Sequence, residues 1–201
     1  TNVILGPKNK VIYGPGIIHD KLGNFTFAIS PLSFFQVNTL QAEKLYETAL
    51  QYAALTGREK VIDAYCGTGT ITLFLSQKAQ RALGIEIVAP AIRDARQNAR
   101  DNHIRNVDFI CADAAKEMPE LVKGGSRPDV IVLDPPRAGC EQRVLDAIAK
   151  VKPQRVVYVS CNPASLARDA AILRDKGFVV RKVQPVDMFP HTSHVESVAL
   201  L

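Results

Sequence analysis

Beyond Lys60 the chain repeats one pattern: a short apolar or β-branched run, a turn, then a stretch with apolar residues at helical spacing. Val61–Tyr65, Arg81–Ile87, Val107–Cys111, Asp129–Asp134 and Arg155–Ser160 read as strands. Between them the spacing predicts helices, one from the first glycine turn through Lys78, then Ala89–Asn102, Ala114–Val122 and Glu141–Lys150. A helix over Pro163–Lys176 leads to two closing strands, Phe178–Val186 and Val195–Leu201. Such alternation implies an α/β fold, a seven-stranded parallel sheet with helices on both faces. In sheets of this kind ligands sit outside the carboxyl ends of the strands.

The first thirty-odd residues read differently. Val3–Leu5, Val11–Tyr13 and Phe25–Ile29 are short β-like runs separated by Gly6-Pro7, Gly14-Pro15-Gly16 and Gly23-Asn24, which predicts hairpins. Asn38 is placed to cap a helix running to about Leu55, with a stripe of Leu40, Lys44, Leu45, Thr48 and Ala49, and with Gly57 ending it. The expected division is a β-hairpin region with linker over residues 1–36 and an α/β domain over residues 37–201.

Composition narrows the class. The 201 residues are 47% apolar and 22% charged, which excludes wholesale disorder. No apolar run approaches the roughly 18 residues that a membrane span needs, and Thr1–Pro7 has neither the basic start nor the apolar core of a secretory signal. A net charge of +5 permits an acidic partner without demanding one. Cys66, Cys111, Cys140 and Cys161 are scattered, so the chain reads as cytoplasmic with reduced thiols rather than as a disulfide scaffold. His191 and His194 form an H-x-x-H with no Glu or Cys at ligand spacing; a polar loop is the favoured reading, and no metal is expected.

The chemistry gathers at strand ends. Asp63-Ala-Tyr-Cys-Gly67-Thr-Gly69-Thr70 follows the first strand of the repeating pattern, and its glycines allow a tight turn and close approach of a ligand to a helix start. Glu86 ends the next strand, where a carboxylate can accept ribose hydroxyls; Asp113 and Asp134 follow the third and fourth. One acidic strand end is commonplace as a helix cap. Four in succession after a glycine turn fit an adenosine-type cofactor better, and this ordered set resembles the Rossmann-like S-adenosylmethionine-dependent methyltransferases. Asp134-Pro135-Pro136-Arg137 makes a stiff ledge suited to a flat base, although a purely structural Pro-Pro turn would look the same.

Ser160-Cys161-Asn162-Pro163 closes the fifth strand and opens a helix, with Asn162 as cap and Pro163 at the first helical position. The helix dipole there would favour a thiolate at Cys161 and covalent catalysis, whereas Cys66, Cys111 and Cys140 read as small buried apolar residues. Glu196 lies at the mouth of an apolar final strand, where desolvation would raise its pKa towards that of a useful base; without the rest it would be an edge-strand charge.

Taken in order, Ser33–Asn38, Asp63–Gly69, Asp134–Arg137, Ser160–Pro163 and His194–Glu196 resemble the catalytic part of the RNA uracil-C5 methyltransferase family, over roughly residues 30 to 201. Val186–Thr192 and Asn162–Asp169 look most like the ribosomal-RNA branch, with the transfer-RNA branch second. The resemblance implies Cys161 adding to C6 of uracil, methylation at C5 from S-adenosylmethionine, and Glu196 removing the C5 proton. It implies Gln36, Tyr65, Gly67, Thr70, Glu86, Asp113 and Asp134 around the cofactor, and Phe34, Gln36, Asp134 and Arg137 around the substrate, with Phe34 stacking on an extruded base. Members of the family usually carry an N-terminal RNA-binding barrel, a central domain and often an iron–sulfur motif. None of these is in this sequence, whose first thirty residues look like a remnant of the central domain.

Two other functions fit parts of the pattern. An exocyclic-amine methyltransferase also uses an acid or Asn before Pro-Pro, but it would place an aromatic residue where Arg137 stands and needs no cysteine. A non-catalytic RNA-binding module would not need Cys161 and Glu196. Arg93, Arg96 and Arg100 share one helix side with Asp94 and Asp101 interleaved, which reads as a solvated face rather than an RNA track.

Overall fold

The central strands carry apolar side chains on both faces, so each must be covered twice. Val130 and Val132 point into one core while Ile131 and Leu133 point into the other, and Val157 and Val159 alternate with Val156 and Tyr158 in the same way. The computed structural model describes residues 9–201. A two-stranded hairpin, β1 (Ile18–Leu22) and β2 (Phe25–Ile29), precedes helix α1 (Thr39–Ala53). The alternating unit follows as β3 (Lys60–Asp63), α2 (Thr70–Ser76), β4 (Arg81–Glu86), α3 (Ala89–Asp101), β5 (Val107–Cys111), α4 (Ala114–Lys123), β6 (Val130–Leu133), α5 (Gln142–Val151), β7 (Arg155–Ser160), α6 (Pro163–Asp175), β8 (Lys182–Val186) and β9 (Glu196–Leu200).

Seven strands form one sheet in the order β5-β4-β3-β6-β7-β9-β8. The hairpin and the buried faces of α1, α2 and α3 belong to one core, and those of α4, α5 and α6 to the other. The expected parallel sheet is corrected in one respect: β9 runs antiparallel to both β7 and β8. The physical reason is the link. Only residues 187–195 join β8 to β9, too few for the helical crossover that a parallel neighbour requires.

Several local expectations also need correction; Cys111, read as buried, is exposed, and the strand expected over Phe178–Val186 begins only at Lys182. Val11–Tyr13 is not a strand; Ile12 and Tyr13 are almost fully exposed, and the partner of Phe25–Ile29 across the Gly23-Asn24 turn is Ile18–Leu22. The polar triplet His19-Asp20-Lys21 hid that strand, because Ile18–Lys21 are exposed and only Leu22 reaches the core. The buried stripe of α1 is Ala42, Leu45, Tyr46, Ala49 and Ala53, with Leu40 exposed. Its cap at Asn38 accepts the Gln41 amide as predicted, but Ala54, in the left-handed conformation, ends the helix before Gly57 is reached. The run Val3–Leu5 lies outside the described residues. Among these residues no helix is long and apolar enough to cross a membrane.

Candidate active site

Strand order converts separate sequence signals into one row. At the carboxyl edge of the sheet the residues at or just beyond each strand end succeed one another in space as Asp113, Glu86, Asp63, Asp134 and Cys161. Neighbouring strands lie about 4.8 Å apart, and the registers offset each of these residues by about two positions from the next, so they form a staggered row along one edge. Glu196 completes the row because β9 is antiparallel and its first residue therefore lies at this same edge. Ser160 pairs with Ser197, so the next residues along, Cys161 and Glu196, stand opposite each other.

The Asp113–Asp63 half is built from hydrogen-bonded carboxylates. Glu86 accepts the amides of Gly67 at 3.2 Å and Val88 at 2.8 Å, which closes the glycine turn over the end of β4. Asp63 is fully buried and accepts the Thr72 hydroxyl at 2.7 Å through one oxygen, while its other oxygen has no partner. Burial pushes its pKa up to about 6. The Thr68 hydroxyl in the same turn is likewise buried and unpartnered. Two orphaned polar atoms beneath a turn with positive φ at Gly67 and Gly69 are what a polar ligand lying on that turn would satisfy. Asp113 caps α4 by accepting the Ala115 amide at 2.9 Å. Tyr65 turns its phenol towards Cys140, and burial raises its pKa.

The Asp134–Glu196 half is different, because its acids lack such donors. Asp134 is half-buried and is pushed up to about 8 by burial, then by Glu196 and Asp63. Glu196 is buried and its pKa is raised by desolvation, in the expected direction. The thiol of Cys161 corrects an expectation. Burial first, then Glu196 and Asp134, raise its pKa, with exposed Arg137 opposing them, which is opposite to the direction a helix end alone would give.

Around this centre Gln36 is buried and Phe34 is exposed. The Asp134–Arg137 ledge is tied to the start of α6 by Asn162, which donates to the Arg137 carbonyl at 3.1 Å and caps the helix through Ala164. His191 and His194 lie in an exposed loop. One residue was not singled out in the sequence: Tyr46 of α1, whose buried phenol faces Thr70, Asp134, Asp63 and Glu196. Burial and those carboxylates raise its pKa, and its ring packs edge-on against Phe74 at 5.6 Å. A tyrosine on an otherwise Ala/Leu stripe was the available signal.

Comparison with known proteins follows from this geometry. The profile of the tRNA (uracil-5-)-methyltransferase family matches residues 17–201. The chain is similar to an uncharacterized RNA methyltransferase of Clostridium tetani, 56% identical over 201 residues, covering all of this chain and 44% of that protein. A counterpart in Halalkalibacterium halodurans is 57% identical over the same span and share. The chain thus spans less than half the length of these relatives. Among solved structures, the Pyrococcus abyssi tRNA (uracil-54, C5)-methyltransferase in complex with S-adenosyl-L-homocysteine matches with TM-score 0.80 and 31% identity, over 94% of this chain and 45% of that one. A methyltransferase from Agrobacterium tumefaciens matches in fold alone, with TM-score 0.72 and 18% identity over 96% of this chain and 71% of that one.

Proposed function

We propose that this chain, which belongs to the tRNA (uracil-5-)-methyltransferase family, carries the catalytic centre that methylates C5 of a uridine in RNA. Residues 37–201 are the catalytic domain in this reading and residues 1–36 a hairpin remnant of a central domain with its linker, the hairpin being packed into the core of α1, α2 and α3. The observation that carries it is the opposition of Cys161 and Glu196 across β7 and β9, beside Asp134.

The glycine turn, Glu86, Asp63 and Thr68 are assigned to hold S-adenosylmethionine, with Asp113, Tyr65 and Thr70 at its margins. When bound, that group supplies an electrophilic methyl. The chain's own residues do the rest. Cys161 Sγ, as thiolate, forms a bond to C6 of uracil, and the displaced electron pair passes through C5 towards the C4 carbonyl. At neutral pH Asp134, with its pKa near 8, is mostly protonated and can donate a hydrogen bond to that oxygen. A neutral Asp134 also removes one of the charges that disfavour the thiolate. After C5 has taken the methyl, the Glu196 carboxylate takes the C5 proton, and the freed pair expels Sγ from C6. Its raised pKa suits it to hold that proton. Phe34 is assigned to stack on the base and Gln36 and Arg137 to bind its surroundings.

Ribosomal RNA is the preferred substrate in this proposal, on the Val186–Thr192 and Asn162–Asp169 runs. Transfer RNA is the second reading, favoured by the likeness to the Pyrococcus enzyme. The test is mass spectrometry after incubation with S-adenosylmethionine and 5-fluorouridine RNA, either a large-subunit rRNA hairpin or a tRNA arm. Fluorine at C5 leaves no proton to remove, so a methylated adduct on Cys161 should persist, and Cys161→Ala should form none. An adduct with neither RNA, while unsubstituted RNA is methylated, would exclude the covalent route.

A further inference from the structure

Helix α3 presents Asp94 and Asn98, and its C-cap Asn102, one turn apart, to strand β2 and the residue after it. Their oxygens accept the amides of every second residue along β2 and just past it: Asp94 from Ser30 at 3.1 Å, Asn98 from Ala28 at 2.7 Å and Asn102 from Thr26 at 2.9 Å. The two asparagines also donate back, Asn98 to the Ala28 carbonyl at 3.3 Å and Asn102 to the Thr26 carbonyl at 2.7 Å. Four helix residues rise about 6 Å and two strand residues about 6.8 Å, so the ladder stays in step for three rungs. These side chains satisfy backbone groups of β2 as a neighbouring strand would, and β1 pairs the same strand.

Two rungs reach further than docking a hairpin requires. Asn98, fully buried, also donates to the Thr68 carbonyl in the glycine turn at 3.1 Å. Asp94 also accepts the Ser33 hydroxyl at 2.6 Å, and the Ser33 amide bonds the Ser30 carbonyl at 3.0 Å. One helix face thus grips the turn assigned to the cofactor and the segment that carries Phe34 and Gln36. Asn102 touches neither; its bonds are to Thr26 and to its own helix.

We infer that Asp94 is a positioning residue for methyl transfer, because it sets the Ser33–Gln36 segment, while Asn98 joins Ala28 to the glycine turn beside it. The role in transfer rests on the methyltransferase reading above, whereas the placement of the segment does not.

The test compares Asp94→Ala and Ser33→Ala with Asn102→Ala. Three quantities are read: amide hydrogen exchange over residues 26–36, S-adenosylhomocysteine affinity by calorimetry, and kcat/KM for RNA. Losing the charged hydrogen bond should speed exchange at Ser33–Gln36 about tenfold in both Asp94→Ala and Ser33→Ala. Both should lower kcat/KM for RNA by a similar factor, about tenfold, while cofactor-product affinity stays within about twofold. Asn102→Ala should speed exchange near Thr26 and leave kcat/KM unchanged. Ser33→Ala removes only a hydroxyl from a partly exposed residue, so it keeps the test open if Asp94→Ala does not fold. Unchanged exchange at Ser33–Gln36, or faster exchange with full kcat/KM, overturns the inference. A parent protein inactive on every RNA sinks the methyltransferase reading instead, and exchange still decides whether Asp94 holds the segment.

Discussion

The Tyr158 hydroxyl donates to Asp169 Oδ2 at 2.6 Å, and the same oxygen accepts the Cys140 amide at 2.7 Å. Tyr158 stands three residues before Cys161 on β7, Cys140 ends the loop that begins at Asp134, and Asp169 lies on α6. One fully buried carboxylate therefore joins the ledge to the strand and helix that hold the candidate nucleophile, and Arg168 completes the join with a bond to the Ala138 carbonyl at 2.8 Å.

Asp169→Ala would strand a buried hydroxyl and a buried amide without their acceptor. The expected cost is about 3–5 kcal/mol of stability, with methylation lost even in protein that remains folded. Gly139→Ala probes the same join from the loop side: at φ 84 its Cβ would sit 2.6 Å from Asp169 Oδ2. Urea denaturation of both variants is the measurement, and parent-like midpoints would show that the join carries no stability.

Asp134 makes stability depend on pH. Its folded value of about 8 exceeds the ordinary carboxylate value near 4, so the folded chain keeps a proton that the unfolded chain releases. Stability from this group is present below about pH 4 and is lost as pH rises towards 8. Asp63, at about 6, adds the same sign in the lower part of that window. Asp134→Asn keeps the shape without the charge, so its gain in Tm over the parent should grow between pH 5 and pH 8.5, to a few degrees. Thermal scans across that range decide; a gain of constant size would mean that Asp134 does not titrate there.

Glu86 is expected to accept ribose hydroxyls while it closes the glycine turn. Loss of charge-assisted hydrogen bonds worth roughly 1.5–3 kcal/mol should weaken S-adenosylmethionine about ten- to hundredfold in Glu86→Ala. Calorimetry measures this directly, and an unchanged Kd would place the adenosine elsewhere.

Tyr46 offers a phenol to a site whose other polar groups are mainly acids. Tyr46→Phe preserves the packing on Phe74 and removes only the hydroxyl facing Asp134 and Thr70. Methylation kcat should fall about tenfold, with the Tm within a degree or two. Full activity in single-turnover assays would reduce Tyr46 to a core residue.

Most elements could be read from the chain because local rules and tertiary packing agree. Val107–Cys111 and Arg155–Ser160 are strands with the expected bounds, and Asn38, Asp113 and Asn162 cap the helices they precede. Where the two disagree, the local rule failed. Ile18–Leu22 looks polar because all of it but Leu22 faces water, and Tyr46 looks like an ordinary core residue until its partners are known.

The sequence by itself determined the alternating α/β plan, the glycine turn and the order of acidic strand ends, since each depends on neighbours a few residues apart. It also carried the family resemblance, through motifs that are each contiguous. Only the tertiary structure decided that β9 runs against β7. That reversal follows because β9 inserts between β7 and β8 and the link from β8 is too short to cross over. It brings Glu196 opposite Cys161, 35 positions earlier in the chain. The charges on the site belong to the same level. A helix end alone favours a thiolate at Cys161, but the folded sheet buries that thiol and sets Glu196 and Asp134 beside it, and burial first, then those acids, raise its pKa.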